Sequence, residues 1–231
     1  MLFKNIRFAL RMFARTPGHT AVAVLTLGLG LGMTMTVWGV IDRVLVDPLP
    51  YPDSGRIVEL RMSEPGREMV GVPMSVFAYQ DIVDQSQSFQ SLTVTFNENI
   101  NLTGGSTPQR VRGAWVSSGF FDVMGVPPRL GRGFRPEEDA VGGEKVVVLA
   151  HGLWQSRYGG ESEILGEKVM VNGRPHTVVG VAPEGFSYPR NVDVWLPISI
   201  DWAEEDRGHG WVVGFGRLAP GVPLSDASAD L

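Results

Sequence analysis

Few residues in this 231-residue sequence are of types that carry out chemistry, and they are widely spaced. The densest group lies in 201–209, DWAEEDRGH, whose carboxylates and histidine could hold a divalent cation. Runs of this kind in loops are usually solvated surface, and we interpret both 201–209 and the acidic run 137–139 in that way. The histidines show no metal-ligand spacing and are predicted to be surface or packing residues: His19, His151, His176 and His209. We therefore predict no metal site.

The motifs of common enzyme classes are missing as well. There is no G-x-x-x-x-G-K-[ST] loop to cradle the phosphates of ATP, no G-x-S-x-G turn to present a nucleophilic serine, and no H-E-x-x-H zinc motif. The chain contains no cysteine, which excludes disulfides, thiolate catalysis and cysteine-ligated zinc. The sequence therefore predicts a protein that is not an enzyme, with no catalytic residue and no cofactor site.

The run 21–41, AVAVLTLGLGLGMTMTVWGVI, contains no charged residue and shows no polar face. A helix of about 20 apolar residues crosses a bilayer core, at about 1.5 Å per residue. A cleaved signal peptide would have a shorter apolar region and a small-residue cleavage site, and a core helix would have a polar side. We therefore predict a permanent transmembrane helix in which the hydroxyls of Thr26, Thr34 and Thr36 bond back to their own backbone.

The charges around this run are asymmetric. Four basic residues and no acidic one precede it: Lys4, Arg7, Arg11 and Arg15. Because positive flanks stay in the cytoplasm, residues 1–20 are predicted to be a cytoplasmic basic leader, either an amphipathic helix on the inner surface or a simple flank. Residues 42–231 are predicted to be extracytoplasmic, on a protein of the inner (plasma) membrane. All 25 acidic residues lie after Ile41, which argues against a nucleic-acid partner.

Two glycines of the apolar run have a spacing that suits contact with another helix. Gly28 and Gly32 form a G-x-x-x-G pair, and small residues at this spacing let a second membrane helix approach closely. Glycine is also frequent in membrane helices in general, so the spacing favours a partner helix without requiring one. We predict helix packing at Gly28 and Gly32.

The remainder of the chain predicts a strand-rich, mixed α+β domain at 56–219. It follows a proline-rich segment, 42–55, that is typical of an extended connector. Apolar alternation and short apolar runs predict the strands, and helical spacing predicts the helices. The predicted strands are 56–62, 88–96, 109–117, 144–150, 193–198, 211–218 and a hairpin in 166–183; the predicted helices are 75–86, 118–125 and 151–160.

Particular residues are predicted to form the turns and helix ends. Asn172-Gly173 joins two β-rich runs and is typical of a type I′ hairpin turn, in which both residues need φ > 0. Gly125 is predicted to close a short helix. The last segment, 220–231, is predicted to begin a further helix with Ser225 as its N-cap. We expect the native gene to continue from there and to encode at least three more apolar runs.

Four sequence blocks occur in a distinctive order: VSSGFFDVMGVPPRLGRGF (116–134), VVVLAHGLWQSRYGG (146–160), ILGEKVMVNGRPHTVVGVAPEGFSYP (164–189) and DVWLPI (193–198). Together they resemble the MacB-type periplasmic core domain of ABC transporter permeases, in particular the orphan, duplicated permeases of the FtsX/MacB superfamily. A G-x-P-x-x-G-R segment of that family is matched by Gly125, Pro127, Gly131 and Arg132, with the extra Pro128 inside it. Asn172-Gly173 matches the family's hairpin. The resemblance thus implies structural turns at Gly125, Gly131, Asn172 and Gly173.

The resemblance implies the N-terminal part of a permease subunit of a type VII ABC system. Such subunits have four membrane helices and carry the outer domain between the first and the second. They work as dimers with a separate or fused cytoplasmic ATPase and a periplasmic adaptor. The ATP-driven motion of the helices is passed to the outer domain, an action called mechanotransmission, for efflux or substrate release.

Two other functions stay open at this point. One is a membrane-anchored binding module that recruits periplasmic partners and transports nothing. The other is a membrane-tethered hydrolase that uses the carboxylates and histidine of 201–209, which the missing nucleophile motif disfavours.

The missing phosphate loop leads to a direct prediction. The purified chain should neither bind nor hydrolyse ATP, because it has no glycine-rich backbone loop with a following lysine. Equilibrium binding of a fluorescent ATP analogue and release of phosphate measure the two properties. Saturable ATP binding at micromolar concentration would contradict the prediction.

Overall fold

The computed structural model describes residue 15 and residues 17–41, 53–64, 69–104, 107–201 and 204–231. The chain divides into two compact units, 1–50 and 51–231, which are treated separately. Most of the predicted leader (1–20), most of the predicted connector (42–55) and Trp202 lie outside the described residues.

The first unit contains one helix, α1 (Pro17–Ile41), within the described residues. It begins four residues before the predicted run. The hydroxyls of Thr26 and Thr34 donate hydrogen bonds to the carbonyl oxygens of Val22 and Gly30, both at 2.8 Å. This back-bonding was predicted, because it satisfies the hydroxyls of Thr26 and Thr34 in an apolar surrounding; the side chain of Thr36, for which the same was predicted, lies outside the described part of the structure.

The second unit is a mixed α/β domain with more strands than helices. Its strands are β1 (Ile57–Leu60), β2 (Met62–Glu64), β3 (Met69–Val72), β4 (Phe89–Thr103), β5 (Gln109–Val116), β6 (Leu130–Gly131), β7 (Val146–Leu149), β8 (Lys168–Val171), β9 (Arg174–Val181), β10 (Val194–Pro197) and β11 (Val213–Leu218). Its helices are α2 (Val76–Gln85), α3 (Phe120–Met124), α4 (His151–Tyr158) and α5 (Leu224–Ala229). The predicted fold class is confirmed.

Six strands close on one another to form a barrel. β4 pairs with β5, β5 with β10, β10 with β7, β7 with β9, and β9 with β8. β8 then pairs back with the far end of β4, where Leu102 lies opposite Val171 and Thr103 lies opposite Met170. Closure removes the free sheet edges that this part of the domain would otherwise present.

The interior of the barrel is filled by side chains that alternate along the strands. Valine, leucine and isoleucine dominate, as expected for a small barrel whose core is solid. Gly113 stands where β5 passes β4, because a Cβ there would overlap the side chain of Ile100. The strand residues of this cluster are Ile100, Leu102, Val111, Val147, Leu149, Val169, Val171, Val178, Val181, Val194 and Leu196.

Two further apolar clusters cover the outside of the barrel. In the first, α3 places Phe120 and Phe121 against Trp195 of β10, with Phe121 and Trp195 ring centroids 5.8 Å apart. The second lies between α2 and the extension of the sheet through β11 and β1. β7 is buried on both faces because it separates the barrel interior from the first cluster, as its continuous apolar run predicts.

Some local predictions differ from the structure. The predicted strand 56–62 is broken at Arg61: β1 pairs with β11, whereas β2 pairs with β3 in a separate two-stranded sheet. Ser225 is not the N-cap of the last helix, because Pro223 takes that position and α5 starts at Leu224. Proline is well suited there, since its fixed φ matches the extended conformation of a cap.

Gly131 and Gly173 provide a matched pair for a stability test. Both have φ near +75°, at 73° and 75° respectively. A Cβ at Gly173 meets nothing within 4 Å, but a Cβ at Gly131 overlaps the carbonyl oxygen of Val179 on β9. We expect Gly173→Ala to cost about 1 kcal/mol for its backbone conformation alone, and Gly131→Ala to cost clearly more. Thermal unfolding measures both, and equal losses would contradict the close approach at Gly131.

Candidate functional site

The residues predicted for helix packing lie on an open surface of α1. Apart from the adjacent residues and the backbone of α1 itself, no described atom lies within 4 Å of a Cβ placed at Gly28 or Gly32. The stretch Pro17–Met35 is long and apolar enough to cross a membrane by length and composition, and none of it is buried. It is the single helix of this kind among the described residues.

Gly125 and Gly131 both have positive φ in the block 116–134, but only Gly125 lies in a turn, whereas the predicted turn residue Gly131 lies in a strand. Gly125 ends α3 in the left-handed conformation, with φ at 68°, and its N–H donates to the carbonyl oxygen of Asp122. Gly131 is part of β6, which pairs with β9 at the edge of the large sheet. Both positions favour glycine because a side chain is strained in this backbone conformation.

Asn172 does more than form the hairpin turn with Gly173. It has φ at 49°, and its backbone N–H donates to the carbonyl oxygen of Asn101 on β4 at 2.9 Å. Its side-chain Oδ1 accepts a hydrogen bond from the Asn101 N–H, also at 2.9 Å. Asn172 therefore fastens the hairpin to β4 at the seam that closes the barrel. Nothing in the local sequence indicates this pairing, since the two residues are 71 positions apart.

Arg132 and Glu138 form an ion pair that corrects the interpretation of 137–139 as solvated surface. Two nitrogens of Arg132 contact the two carboxylate oxygens of Glu138, at 3.0 and 2.6 Å. The backbone N–H of Arg135 adds a hydrogen bond to the same carboxylate at 2.8 Å. Glu138 is consequently buried, at 5% exposure. The pattern of charges alone could not reveal that this acidic run folds back on Arg132.

The pKa of the Glu138 carboxyl reflects this surrounding. Burial acts to raise it, but hydrogen bonds from Arg132 and Arg135, together with their charges, hold the pKa below its usual value. The carboxylate therefore stays ionised in the folded protein at neutral pH.

A buried polar network lies next to this pair. Burial and the charge of Asp139 raise the pKa of Tyr79 to about 12, and the Tyr79 side chain bonds to Ser117. The Ser117 and Thr93 hydroxyls are 2.6 Å apart, and Asp139 accepts a hydrogen bond from the backbone N–H of Ser118. Burial raises the pKa of the Asp139 carboxyl. The network holds α2 against the ends of β4 and β5 and was not predicted from the sequence.

One cleft of about 600 Å³ opens at an end of the barrel. The ends of β5 and β10, the residues before β7, and the β8–β9 hairpin all meet there. The opposite end is covered by Leu153 and Trp154 of α4, which pack on the interior cluster. The cleft is lined by Trp115, Glu138, Gly142, Gly143, Glu144, Lys145, Val171, Asn172, Arg174, His176, Pro197 and Ser199.

The histidines are not brought together. His151 lies on α4 and packs its ring against Trp154, with centroids 5.4 Å apart. His176 is buried at the cleft, whereas His209 is exposed in the loop before β11. Within the described ranges, no three potential ligands among His, Asp and Glu lie close enough together to hold a metal ion.

Comparison with known proteins identifies the domain. The model of the MacB-like periplasmic core domain matches residues 20–231. The chain belongs to this family. The resemblance drawn from the four sequence blocks is thereby confirmed, and with it the presence of the periplasmic domain of an ABC-type permease family.

Relatives of the MacB-like family cover different parts of the chain. The macrolide export ATP-binding/permease protein MacB of Salmonella paratyphi A is 29% identical over 161 residues, which are 66% of this chain and 24% of that protein. The probable syringafactin export ATP-binding/permease protein SyfD of Pseudomonas syringae is 33% identical over 85 residues, which are 36% and 13% of the two chains. The present chain thus spans about a quarter or less of these relatives.

Solved structures share the fold. The periplasmic region of MacB from Actinobacillus actinomycetemcomitans superposes with a TM-score of 0.57 at 19% identity, covering 75% of this chain and 78% of that one. The extracellular domain of the noncanonic ABC-type transporter YknZ from Gram-positive bacteria also gives a TM-score of 0.57, at 14% identity, covering 74% and 88%. At these identities the likeness concerns the fold alone.

The Arg132–Glu138 pair predicts a pH-dependent loss of stability. Because the Glu138 pKa is lower in the folded than in the unfolded chain, its contribution is present above the unfolded value and is lost as pH falls through the folded value. Glu138→Gln should lower the free energy of unfolding by about 1–3 kcal/mol at pH 7 and flatten the loss in acid. The exposed neighbour Glu137 supplies the control, since Glu137→Gln should change neither. Urea unfolding from about pH 7 to about pH 3 measures the free energy of unfolding of each variant. The same free energies for Glu138→Gln and Glu137→Gln at each pH would contradict the prediction.

Proposed function

We propose that this chain is the N-terminal part of a non-enzymatic permease subunit of a type VII ABC transporter. In this proposal α1 anchors the protein in the inner membrane, and the second unit works outside the cytoplasm. The observation that carries the proposal is the extent of the family match, 20–231, which begins inside α1 and runs through the domain. The family model therefore covers most of the helix and the whole of the domain that follows it.

The exposed apolar side chains of α1 support the membrane location. Val22, Leu29 and Met35 are 66%, 64% and 74% exposed, and their neighbours are similar. Apolar area left in water costs about 25 cal/mol per Å², so a helix with apolar side chains on all sides is unfavourable outside lipid. The basic flank at Lys4, Arg7, Arg11 and Arg15 favours a cytoplasmic N-terminus.

The course of the chain through the domain suits transmission of helix motion. The segment that follows the membrane helix enters the domain at β1, which pairs in antiparallel register with β11, the last strand of the sheet in chain order. Ile57 at the start of β1 lies opposite Arg217 near the end of β11. A displacement that reaches the domain from either end of the chain therefore acts on the same end of one strand pair.

Two arginines hold this strand pair to the rest of the domain. The guanidinium of Arg56 donates to the carbonyl oxygen of Leu218 and to the side chain of Gln90 at the start of β4. Arg217, buried at 7% exposure, donates to the carbonyl oxygen of Val123 on α3 at 2.9 Å. Charged hydrogen bonds of this kind are stronger than neutral ones. They make the β1–β11 pair a fixed attachment through which the closed barrel would move as one body.

The partners follow from this proposal and from the family. A cytoplasmic ATPase, separate or fused, would drive the helices, and a second copy of the subunit would complete a dimer. A periplasmic adaptor would respond to the moving domain in efflux or substrate release. The alternative is a membrane-anchored binding module without transport activity. It would have the same anchor and the same domain, but no ATP-driven motion of the membrane helices would be passed to the domain.

A topology experiment tests the anchor and its orientation. Alkaline phosphatase fused after Leu231 should be active in cells, because the enzyme folds only outside the cytoplasm, and a cytoplasmic green fluorescent protein at the same junction should be dark. The matched control deletes 17–41, after which the phosphatase should be inactive. Phosphatase activity that survives the deletion, or an inactive fusion of the intact chain, would overturn the proposed location.

A further inference from the structure

The cleft at the end of the barrel brings basic side chains around a buried imidazole. Lys145, immediately before β7, and Arg174, at the start of β9, both line the cleft with His176. Burial lowers the pKa of His176, and the positive charges of Lys145 and Arg174 lower it further. The electrostatic field at this imidazole is therefore positive.

The acidic residues of the cleft do not cancel this field. Glu138 is neutralised by its two contacts with Arg132. Glu144 is exposed to solvent, and it is not among the groups that perturb His176. The domain as a whole is acidic, so a site of positive field in it is unusual.

The hydrogen bond of His176 determines which of its ring nitrogens remains as an acceptor. Nδ1 is 3.0 Å from the carbonyl oxygen of Arg174. A carbonyl oxygen can only accept, so Nδ1 carries the proton, and in the neutral ring Nε2 has a free lone pair. His176 is 6% exposed, and among the described residues nothing else bonds to its ring. A buried imidazole that lines a cleft and keeps one nitrogen as an unbonded acceptor is suited to gain a proton when an anion arrives.

The opposite wall of the cleft is apolar and firmly held. Trp115 of β5 lines it, and its indole N–H donates to a carboxylate oxygen of Glu98 at 3.0 Å, which fixes the ring. Val171 and Pro197 continue this wall. Clefts of this volume with an aromatic wall and a few polar groups are typical of small-molecule sites, and barrel mouths are a common place for them.

We propose that the mouth of the barrel binds a small organic carboxylate that carries an aromatic or apolar group. The carboxylate lies between the Lys145 ammonium and the His176 imidazole, and the apolar group lies against Trp115. Binding is coupled to protonation of His176 at Nε2, because the anion favours the charged ring. The site belongs to the isolated domain fold and does not depend on transport by the whole protein.

The coupling fixes the sign of the pH dependence. The bound anion raises the pKa of His176 above its value in the free protein, so affinity increases as pH falls through the pKa of the complex. The affinity stops increasing once the pH is below the pKa that His176 has in the free protein. The probe's own carboxylate remains ionised between about pH 8 and about pH 6.

The test uses the full chain in lipid nanodiscs, with its four histidines labelled at Cε1, and phenylacetate as the probe. The His176 signal, assigned by its loss in His176→Asn, should move with a Kd of about 1 mM. Binding should tighten mainly below about pH 7 and continue to do so to about pH 5.5, where phenylacetate is still mostly ionised, because the pKa of free His176 lies below the usual value for histidine. The signals of His151 and His209, away from the cleft, should stay in place. Phenylacetamide, the uncharged isostere, should bind more weakly and show no pH dependence.

Two charge variants decide the role of the cleft. Lys145→Gln removes an exposed cation of the site and should weaken phenylacetate binding about three- to fivefold. Lys168→Gln removes an exposed lysine of β8 that does not line the cleft and should leave the Kd unchanged. Equal affinity for phenylacetamide, an unmoved His176 signal, or equal effects of the two lysine variants would overturn the proposal.

Discussion

The closure of β8 onto β4 is the constraint on which the rest of the domain depends. Among the described residues, the pairs Leu102–Val171 and Thr103–Met170 form the ladder at this seam, and Asn172 adds its two hydrogen bonds to Asn101. Without the seam, the interior valines would face an open sheet edge, and the mouth would have no wall on the hairpin side. Closure gives the barrel a single solid core, and close-packed cores of this kind transmit displacement with little deformation.

Under the proposed function, the same rigidity would let the outer domain follow a motion that is driven from the cytoplasmic side. Motion of a membrane helix is useful outside the membrane only if the outer domain follows it without unravelling. In that proposal the β1–β11 pair is the attachment, and Arg217 connects the pair to α3 through its hydrogen bond to Val123. The ion pair between the half-buried Arg132 and the buried Glu138 similarly restrains the loop that joins them. These polar contacts restrain the surface segments, while the apolar clusters supply most of the stability.

The cleft and the attachment lie on different parts of the domain and have different chemical characters. The proposed attachment consists of backbone ladders, the buried guanidinium of Arg217 and the half-buried guanidinium of Arg56. The cleft combines an indole, an imidazole and two cations around open space, which suits recognition of a ligand. If the domain both moves and binds a ligand, ligand affinity in the cleft would be coupled to the conformation of the membrane helices.

Patterns that are local in the chain were sufficient for much of this protein. The uncharged run 21–41, the Asn172-Gly173 turn and the helix-closing Gly125 can be recognised from neighbouring residues, because backbone geometry and hydrophobic periodicity act over a few positions. The family resemblance followed from the order of such local blocks. The tertiary structure alone decided that the strands close into a barrel, that Glu138 is buried against Arg132, and that His176 and Trp115 line the same cleft. These outcomes depend on strand pairings between residues tens of positions apart, and the register of such pairings is set by packing in the folded chain.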